Sequence, residues 1–80
     1  MGKQSEGPTQ NQLERTRQDW ETVAGEPVQV EHIKGTIYGF TTELGALRLY
    51  YKYHHSDRKK ISAAYSHNLN TWYFALDVAY

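Results

Sequence analysis

The chain has no cysteine, and this absence excludes two classes of small protein. It can form neither a disulfide framework nor a thiolate metal site. It also lacks an apolar run of the ~18 residues that can span a bilayer, and its first residues lack the apolar core of a signal peptide. These absences predict a cytoplasmic protein without a membrane partner.

The chain also lacks net charge and is poor in apolar residues. Nine Lys and Arg balance nine Asp and Glu, whereas a nonspecific polyanion binder is normally basic. Apolar residues make up 39% of the chain, below the ~45–50% usual in globular domains. A core this small is often supplemented by self-association. We expect a flexible tail over residues 1–8 and a single α+β domain over residues 9–80.

The first predicted element is a helix that begins near residue 9. Thr9 with Gln12 and Asn11 with Glu14 are two alternative capping boxes at its start. Gly25 fits the left-handed position that ends many helices. The helix is too weakly apolar to be stable alone and needs a sheet to pack on. Its expected anchors are Leu13, Trp20, Val23 and Ala24.

The β-branched and aromatic residues after the helix predict extended structure. Val28 and Val30 share one phase of the alternation, but Ile37 takes the opposite one. Something near Lys34-Gly35 therefore resets the period, and a two-residue hairpin and a bulged continuous strand are equally compatible with the residues. In the hairpin alternative, Val28, Val30 and Ile37 face the same core.

The segment LRLYYKYHH, residues 47–55, alternates in a way that predicts a strand with two different faces. The expected core face consists of Leu47, Leu49, Tyr51 and Tyr53. The other face is basic and carries an aromatic ring, and its residues are Arg48, Tyr50, Lys52 and His54. This face is the candidate binding surface, and neighbouring strands extend it with Tyr38, Ser62, Ser66 and Tyr73.

Two further strands are predicted over residues 61–66 and 71–80. Consecutive strands joined by short turns usually pair with each other, so we predict an α+β fold with one N-terminal helix packed on a four- or five-stranded antiparallel β-meander. That order is similar to cystatin-like folds, but the chain has neither a QxVxG-type loop nor a terminal Pro-Trp, so no cystatin activity is expected. The expected core is Leu13, Trp20, Val23, Val30, Ile37, Leu47, Leu49, Tyr51, Ile61, Trp72, Phe74 and Leu76.

The last predicted strand has no Pro or Lys to protect it, and Asp77 is its only charged residue. A strand that ends a meander is an edge, and an unprotected edge favours pairing with another chain. We therefore expect a homodimer or another homo-oligomer, with closure of the sheet against the strand that begins at Val28 as the alternative. The expected interface residues lie on one side of this strand: Trp72, Phe74, Leu76, Val78 and Tyr80.

No residue pattern indicates catalysis, a metal or a cofactor. His54 and His55 are adjacent and would point to opposite faces of a strand, and no HxH, HxxxH or HExxH spacing occurs. No GxSxG motif or phosphate-binding glycine loop is present. If the sheet curls around a cavity, Asp77, His67 and Tyr73 are the first candidates for a small-molecule site.

The sequence therefore predicts a non-enzymatic interaction module that presents a sheet face or edge to a protein partner and self-associates. One alternative is single-stranded nucleic-acid binding, because cations contact phosphates and aromatic rings stack on bases. That alternative uses Arg48, Tyr50, Lys52 and His54, and the neutral net charge weighs against it. A second alternative is small-molecule binding in a pocket between the helix and the sheet.

Overall fold

A computed structural model describes residues 9–55 and 60–77 of the chain. The predicted tail lies outside these residues, as do Val78 and Tyr80 of the predicted interface. Helix α1 (Gln10–Ala24) is capped at its N-terminus by Thr9. The Thr9 backbone N–H donates to Gln12 Oε1 at 2.8 Å, and the Gln12 N–H donates to Thr9 Oγ1 at 3.2 Å. Gly25 ends the helix in the left-handed conformation, with φ of 75°. Both predicted termini of α1 are confirmed.

A two-residue hairpin joins β1 (Gln29–Ile33) to β2 (Thr36–Thr41), which decides between the two alternatives at Lys34-Gly35. Lys34 and Gly35 have positive φ values of 50° and 83°. Two-residue hairpin turns whose twist matches that of the flanking strands require such values. Ile33 lies opposite Thr36 in the resulting register. Val28 and Ile37 are buried and Val30 packs against them, so the predicted common core face is confirmed.

Residues 43–53 form a second helix, α2 (Glu43–Tyr53), so the predicted strand over residues 47–55 is wrong. Thr42 caps this helix and accepts a hydrogen bond from the Gly45 N–H at 3.2 Å. Helical spacing places a different set of side chains on the core than alternation does. Tyr51, an expected core residue, is 67% exposed. The residues that α2 turns toward the core are Ala46, Leu49, Tyr50 and Tyr53.

The remaining strands, β3 (Ile61–Ser66) and β4 (Thr71–Asp77), complete a four-stranded antiparallel sheet with the order β1-β2-β4-β3. The α+β class, the N-terminal helix and the antiparallel sheet are confirmed. The simple meander and the cystatin-like order are not confirmed, because α2 separates β2 from β3 along the chain and β2 pairs with β4. As a result β4 is a central strand, and the expectation that it forms an edge is wrong. The sequence helix–strand–strand occurs twice.

Both helices contact the sheet and each other, and they enclose one core. Trp20 meets Phe74 edge to face, with ring centroids 4.9 Å apart. Trp20 also lies directly on the backbone of Gly39, where an added Cβ would approach Trp20 Cε3 to 2.7 Å. Phe74 and Leu49 are fully buried. The helix layer therefore occupies the sheet face that carries Phe74 and Ile37.

Candidate functional site

The expected basic strand face is not formed, and its residues have separate roles on α2. Arg48 Nη1 donates to the carbonyl oxygen of Ala24 at 2.9 Å, which ties α2 to the end of α1. Tyr50 is half-buried and stacks on His54, with ring centroids 5.6 Å apart. Lys52 is exposed in the last turn. Arg48 therefore has a structural partner, and the four residues do not form one continuous surface.

The expected interface residues of β4 lie on the side of the sheet that the helices cover. Phe74 is fully buried, and Leu76 packs against the core. Trp72 is half-buried and contacts Tyr65 with ring centroids 5.8 Å apart. Phe74 and Leu76 are thus used in folding, while Val78 and Tyr80 lie outside the described residues.

Tyr73, the remaining predicted binding residue, points to the opposite side of the sheet and is part of an aromatic cluster. Its ring centroid lies 5.5 Å from that of Tyr38 and 6.2 Å from that of Phe40. Tyr38 and Phe40 stack at 5.9 Å with nearly parallel planes. We call these three residues the aromatic triad. It lies on the two central strands, where Phe40 pairs directly with Tyr73.

The aromatic triad borders a shallow depression of about 250 Å³, which Ile33, Ser66 and Leu69 also line. Ile33 is 45% exposed and Leu69 is 61% exposed. In the part of the chain that the structure describes, neither helix covers this open face. An exposed apolar group of this kind is typical of a binding surface, because a monomer gains nothing from leaving it in water.

Charge on the open face is sparse and acidic. No strand in the sheet contains Lys or Arg, and the acidic strand residues are Glu31 and Asp77. The Asp77 carboxylate accepts a hydrogen bond from Thr36 Oγ1 at 2.7 Å. Gln29 Nε2 donates to Glu31 Oε2 at 2.8 Å. The triad therefore has apolar neighbours in Ile33 and Leu69, and the four strands contribute acidic but no basic side chains.

On the other side of the sheet, the carboxylate of Glu26 contacts the N-terminus of α2 and holds the helix layer in place. Glu26 itself lies between α1 and β1. Glu26 accepts hydrogen bonds from the side chains of Thr41 and Thr42, and from the Thr42 N–H at 2.9 Å. The Thr41 hydroxyl contributes most to lowering the pKa of Glu26, followed by the Thr42 hydroxyl. A negative charge at a helix N-terminus is also favoured by the helix dipole. Glu26 thus fixes the position of α2 relative to the end of α1.

The other residues singled out for small-molecule chemistry have structural contacts. Asp77 is bonded to Thr36, and His67 packs on Tyr65 with ring centroids 5.0 Å apart. Within residues 9–55 and 60–77, no group of three or more His, Asp and Glu is arranged to hold a metal ion. Neither described helix is long and apolar enough to cross a membrane.

Sequence reasoning identified Tyr38 and Tyr73 as neighbours of a strand that does not exist, named Tyr73 also as a candidate for a small-molecule site, and missed Phe40. The available signal was the alternation in TIYGFT, where Tyr38 and Phe40 alternate with the buried Ile37 and Gly39. The chain matches no protein-family model, no curated protein and no solved structure. Its function must therefore be argued from its own residues.

Proposed function

We propose that this chain is a non-enzymatic protein-interaction module that self-associates through its open sheet face. The observation that supports this proposal is the aromatic triad of Tyr38, Phe40 and Tyr73 on the two central strands, uncovered by the described helices. Aromatic residues at the centre of a patch with a polar rim match the arrangement of binding hot spots. Their rings supply contact area at a small cost in side-chain entropy.

A protein partner is favoured over nucleic acid by the charges around the triad. Stacking platforms for single strands combine rings with cations that contact the phosphates. None of the four strands contributes a Lys or Arg, whereas Glu31 and Asp77 contribute negative charge. Phosphate repulsion would oppose the stacking energy on this face. The alternative through Arg48, Tyr50, Lys52 and His54 depended on a strand that is a helix.

A second copy of the chain is the partner to which we commit. The net charge is zero, so two copies approach without overall electrostatic repulsion. Two sheets can pack face to face at a separation of about 10 Å and bury both aromatic sets at once. A two-fold arrangement lets one patch serve as both halves of the interface.

Sedimentation equilibrium of the wild-type chain and two matched variants tests the proposal. Tyr73→Ser removes a ring from the triad, while Tyr51→Ser removes a tyrosine from the exposed surface of α2. We expect a wild-type mass of twice the 9.3 kDa monomer. We expect Tyr73→Ser to weaken dimerisation by more than about tenfold and Tyr51→Ser to leave it unchanged, with both variants folded by circular dichroism.

A wild-type chain that remains monomeric at all concentrations would overturn the proposal, as would equal effects of the two substitutions. Titration with oligothymidine provides the nucleic-acid arm. Salt-sensitive binding that Tyr73→Ser abolishes would reassign the open face to single-stranded nucleic acid.

A further inference from the structure

The two halves of the chain have equivalent folds. Each half is a helix followed by a β-hairpin, and the sheet order β1-β2-β4-β3 is unchanged when the two halves are exchanged. Thr9 and Thr42 cap the two helices with the same bond, which each hydroxyl accepts from the backbone N–H three residues further on. An approximate two-fold axis therefore runs perpendicular to the sheet, between β2 and β4.

Aromatic side chains on both faces of the sheet follow this axis. On the covered face, Trp20 of α1 lies on Gly39 of β2, and Tyr53 of α2 packs on Phe74 of β4 with ring centroids 5.8 Å apart. Gly39 and Phe74 are paired with each other in the ladder, so the axis passes between them. On the open face, each tyrosine of the aromatic triad directly precedes one of these two residues. The axis therefore also passes through the triad.

The approximate symmetry leaves two arrangements for two copies that pack through their open faces with the triads superposed. In the crossed arrangement, β1 of one copy lies over β3 of the other, and Phe40 lies over the partner's Tyr73. In the matched arrangement, each strand lies over its own counterpart, and Phe40 lies over the partner's Tyr38. Both are two-fold and bury the same rings. Ring packing alone therefore does not select between them.

The two edges of the open face differ in charge. On β1, Glu31 is exposed and lies opposite Tyr38 in the ladder. The equivalent edge strand, β3, contains no charged residue and is directly preceded by the exposed Lys60. The Asp77 N–H donates to the Lys60 carbonyl oxygen at 3.0 Å, so Lys60 continues the ladder beside Asp77. Cross-strand neighbours share a face, and Asp77 is bonded to Thr36 on the open face.

These charges favour the crossed arrangement. Glu31 and Ser62 lie in one row across the sheet, at its two edges, so the crossed arrangement places Glu31 over the partner's Ser62. Lys60 is two residues from Ser62, about 7 Å along the strand, and the Lys and Glu side chains together can span that distance. The matched arrangement instead places β1 over β1 and brings two Glu31 carboxylates toward each other. Opposite charges across an interface favour one arrangement, and like charges oppose the other.

We propose that the chain forms a crossed dimer, in which β1 of each copy lies over β3 of the other and Glu31 pairs with the partner's Lys60. This inference rests on the proposed function, and it adds which strands meet and which charges select their arrangement. The pair forms twice, once on each side of the dimer axis. Lys60 then lies between Asp77 of its own chain and Glu31 of the partner.

Thiol cross-linking tests the arrangement, and the absence of cysteine makes each introduced thiol unique. Gln29 and Ala64 share a row at the two edges of the sheet, so the crossed dimer brings Gln29 near the partner's Ala64. Gln29→Cys and Ala64→Cys are mixed in equal amounts and treated with a bismaleimide whose spacer is about 10 Å, the separation of packed sheets. We expect at least about fivefold more cross-linked dimer in the mixture than in either variant alone.

A charge exchange tests the pair between Glu31 and Lys60. Glu31→Lys and Lys60→Glu should each weaken dimerisation about fivefold at low salt and less at high salt. The double variant should regain wild-type dimerisation within about twofold, because the exchanged charges again attract. Lys52→Glu, on the exposed surface of α2, is the matched charge reversal and should leave dimerisation unchanged. Sedimentation equilibrium measures all four variants.

Equal cross-linking of Gln29→Cys alone and of the mixture would overturn the crossed dimer. A double variant that dimerises no better than the single variants would overturn the charge pair. In both cases the proposed function stands if Tyr73→Ser still weakens the dimer. A wild-type chain that is monomeric at all concentrations would overturn the proposed function, and this inference with it.

Discussion

Both faces of the sheet carry aromatic rings, but the rings of the two faces lie in different surroundings. On the covered face, Phe74 is fully buried and contacts the ring of Trp20. On the open face, Tyr73, the preceding residue, contacts Tyr38 and Phe40 and remains partly exposed. Consecutive residues of one strand thus serve two sides of the molecule. The rings of the covered face are required to form the core, whereas folding gives no comparable reason for the rings of the open face.

The largest expected effect comes from a comparison of Phe74→Ala with Tyr73→Ala. Phe74→Ala leaves a cavity beneath Trp20 and should lower the free energy of unfolding by about 3–5 kcal/mol. Tyr73→Ala removes a ring from a surface cluster and should cost about 1 kcal/mol. Urea unfolding at a concentration below self-association measures both values. Equal losses would show that the two faces do not differ in their importance for folding.

A smaller effect is expected from Glu26→Gln, which tests how the helix layer is held on the covered face. The pKa of Glu26 is lowered in the folded chain, so its contribution is present above the unfolded pKa and is lost as the pH falls through the folded value. Because the ionised carboxylate accepts three hydrogen bonds, Glu26→Gln should cost about 1–2 kcal/mol at pH 7. The difference from wild type should disappear in acid, below the folded pKa.

Glu43→Gln is the control for Glu26→Gln, because it removes a negative charge from the first turn of the same helix without removing the bonds to Thr41 and Thr42. Thermal unfolding between pH 3 and pH 7 gives both pH profiles. A Glu26→Gln profile parallel to that of wild type, with a constant offset, would argue against the charge-dependent contact.

The parts of the fold that were predictable from sequence are those set by local chemistry. Thr9 with Gln12, and Gly25, specify the ends of α1 through contacts within four residues. Lys34-Gly35 supplies the positive φ values of a hairpin turn. Local chemistry also contained a signal for α2, since Thr42 caps a segment rich in helix-forming residues. The tyrosines of residues 47–55 obscured that signal, because they are compatible with both the helical and the strand period.

Strand order and the open face could not be predicted in the same way. The pairing of β2 with β4 joins residues more than thirty positions apart, and no local pattern specifies it. That pairing brings Phe40 beside Tyr73 and makes β4 a central strand. The aromatic triad therefore follows from long-range register.

The division between a folding face and a binding face is tested most directly by aromatic NMR spectra recorded over a dilution series. Our account predicts that the ring signals of Tyr38, Phe40 and Tyr73 shift with protein concentration, while those of Trp20 and Phe74 stay constant. Concentration-dependent shifts at Trp20 and Phe74, or constant signals from the aromatic triad while the molecular mass changes, would contradict it.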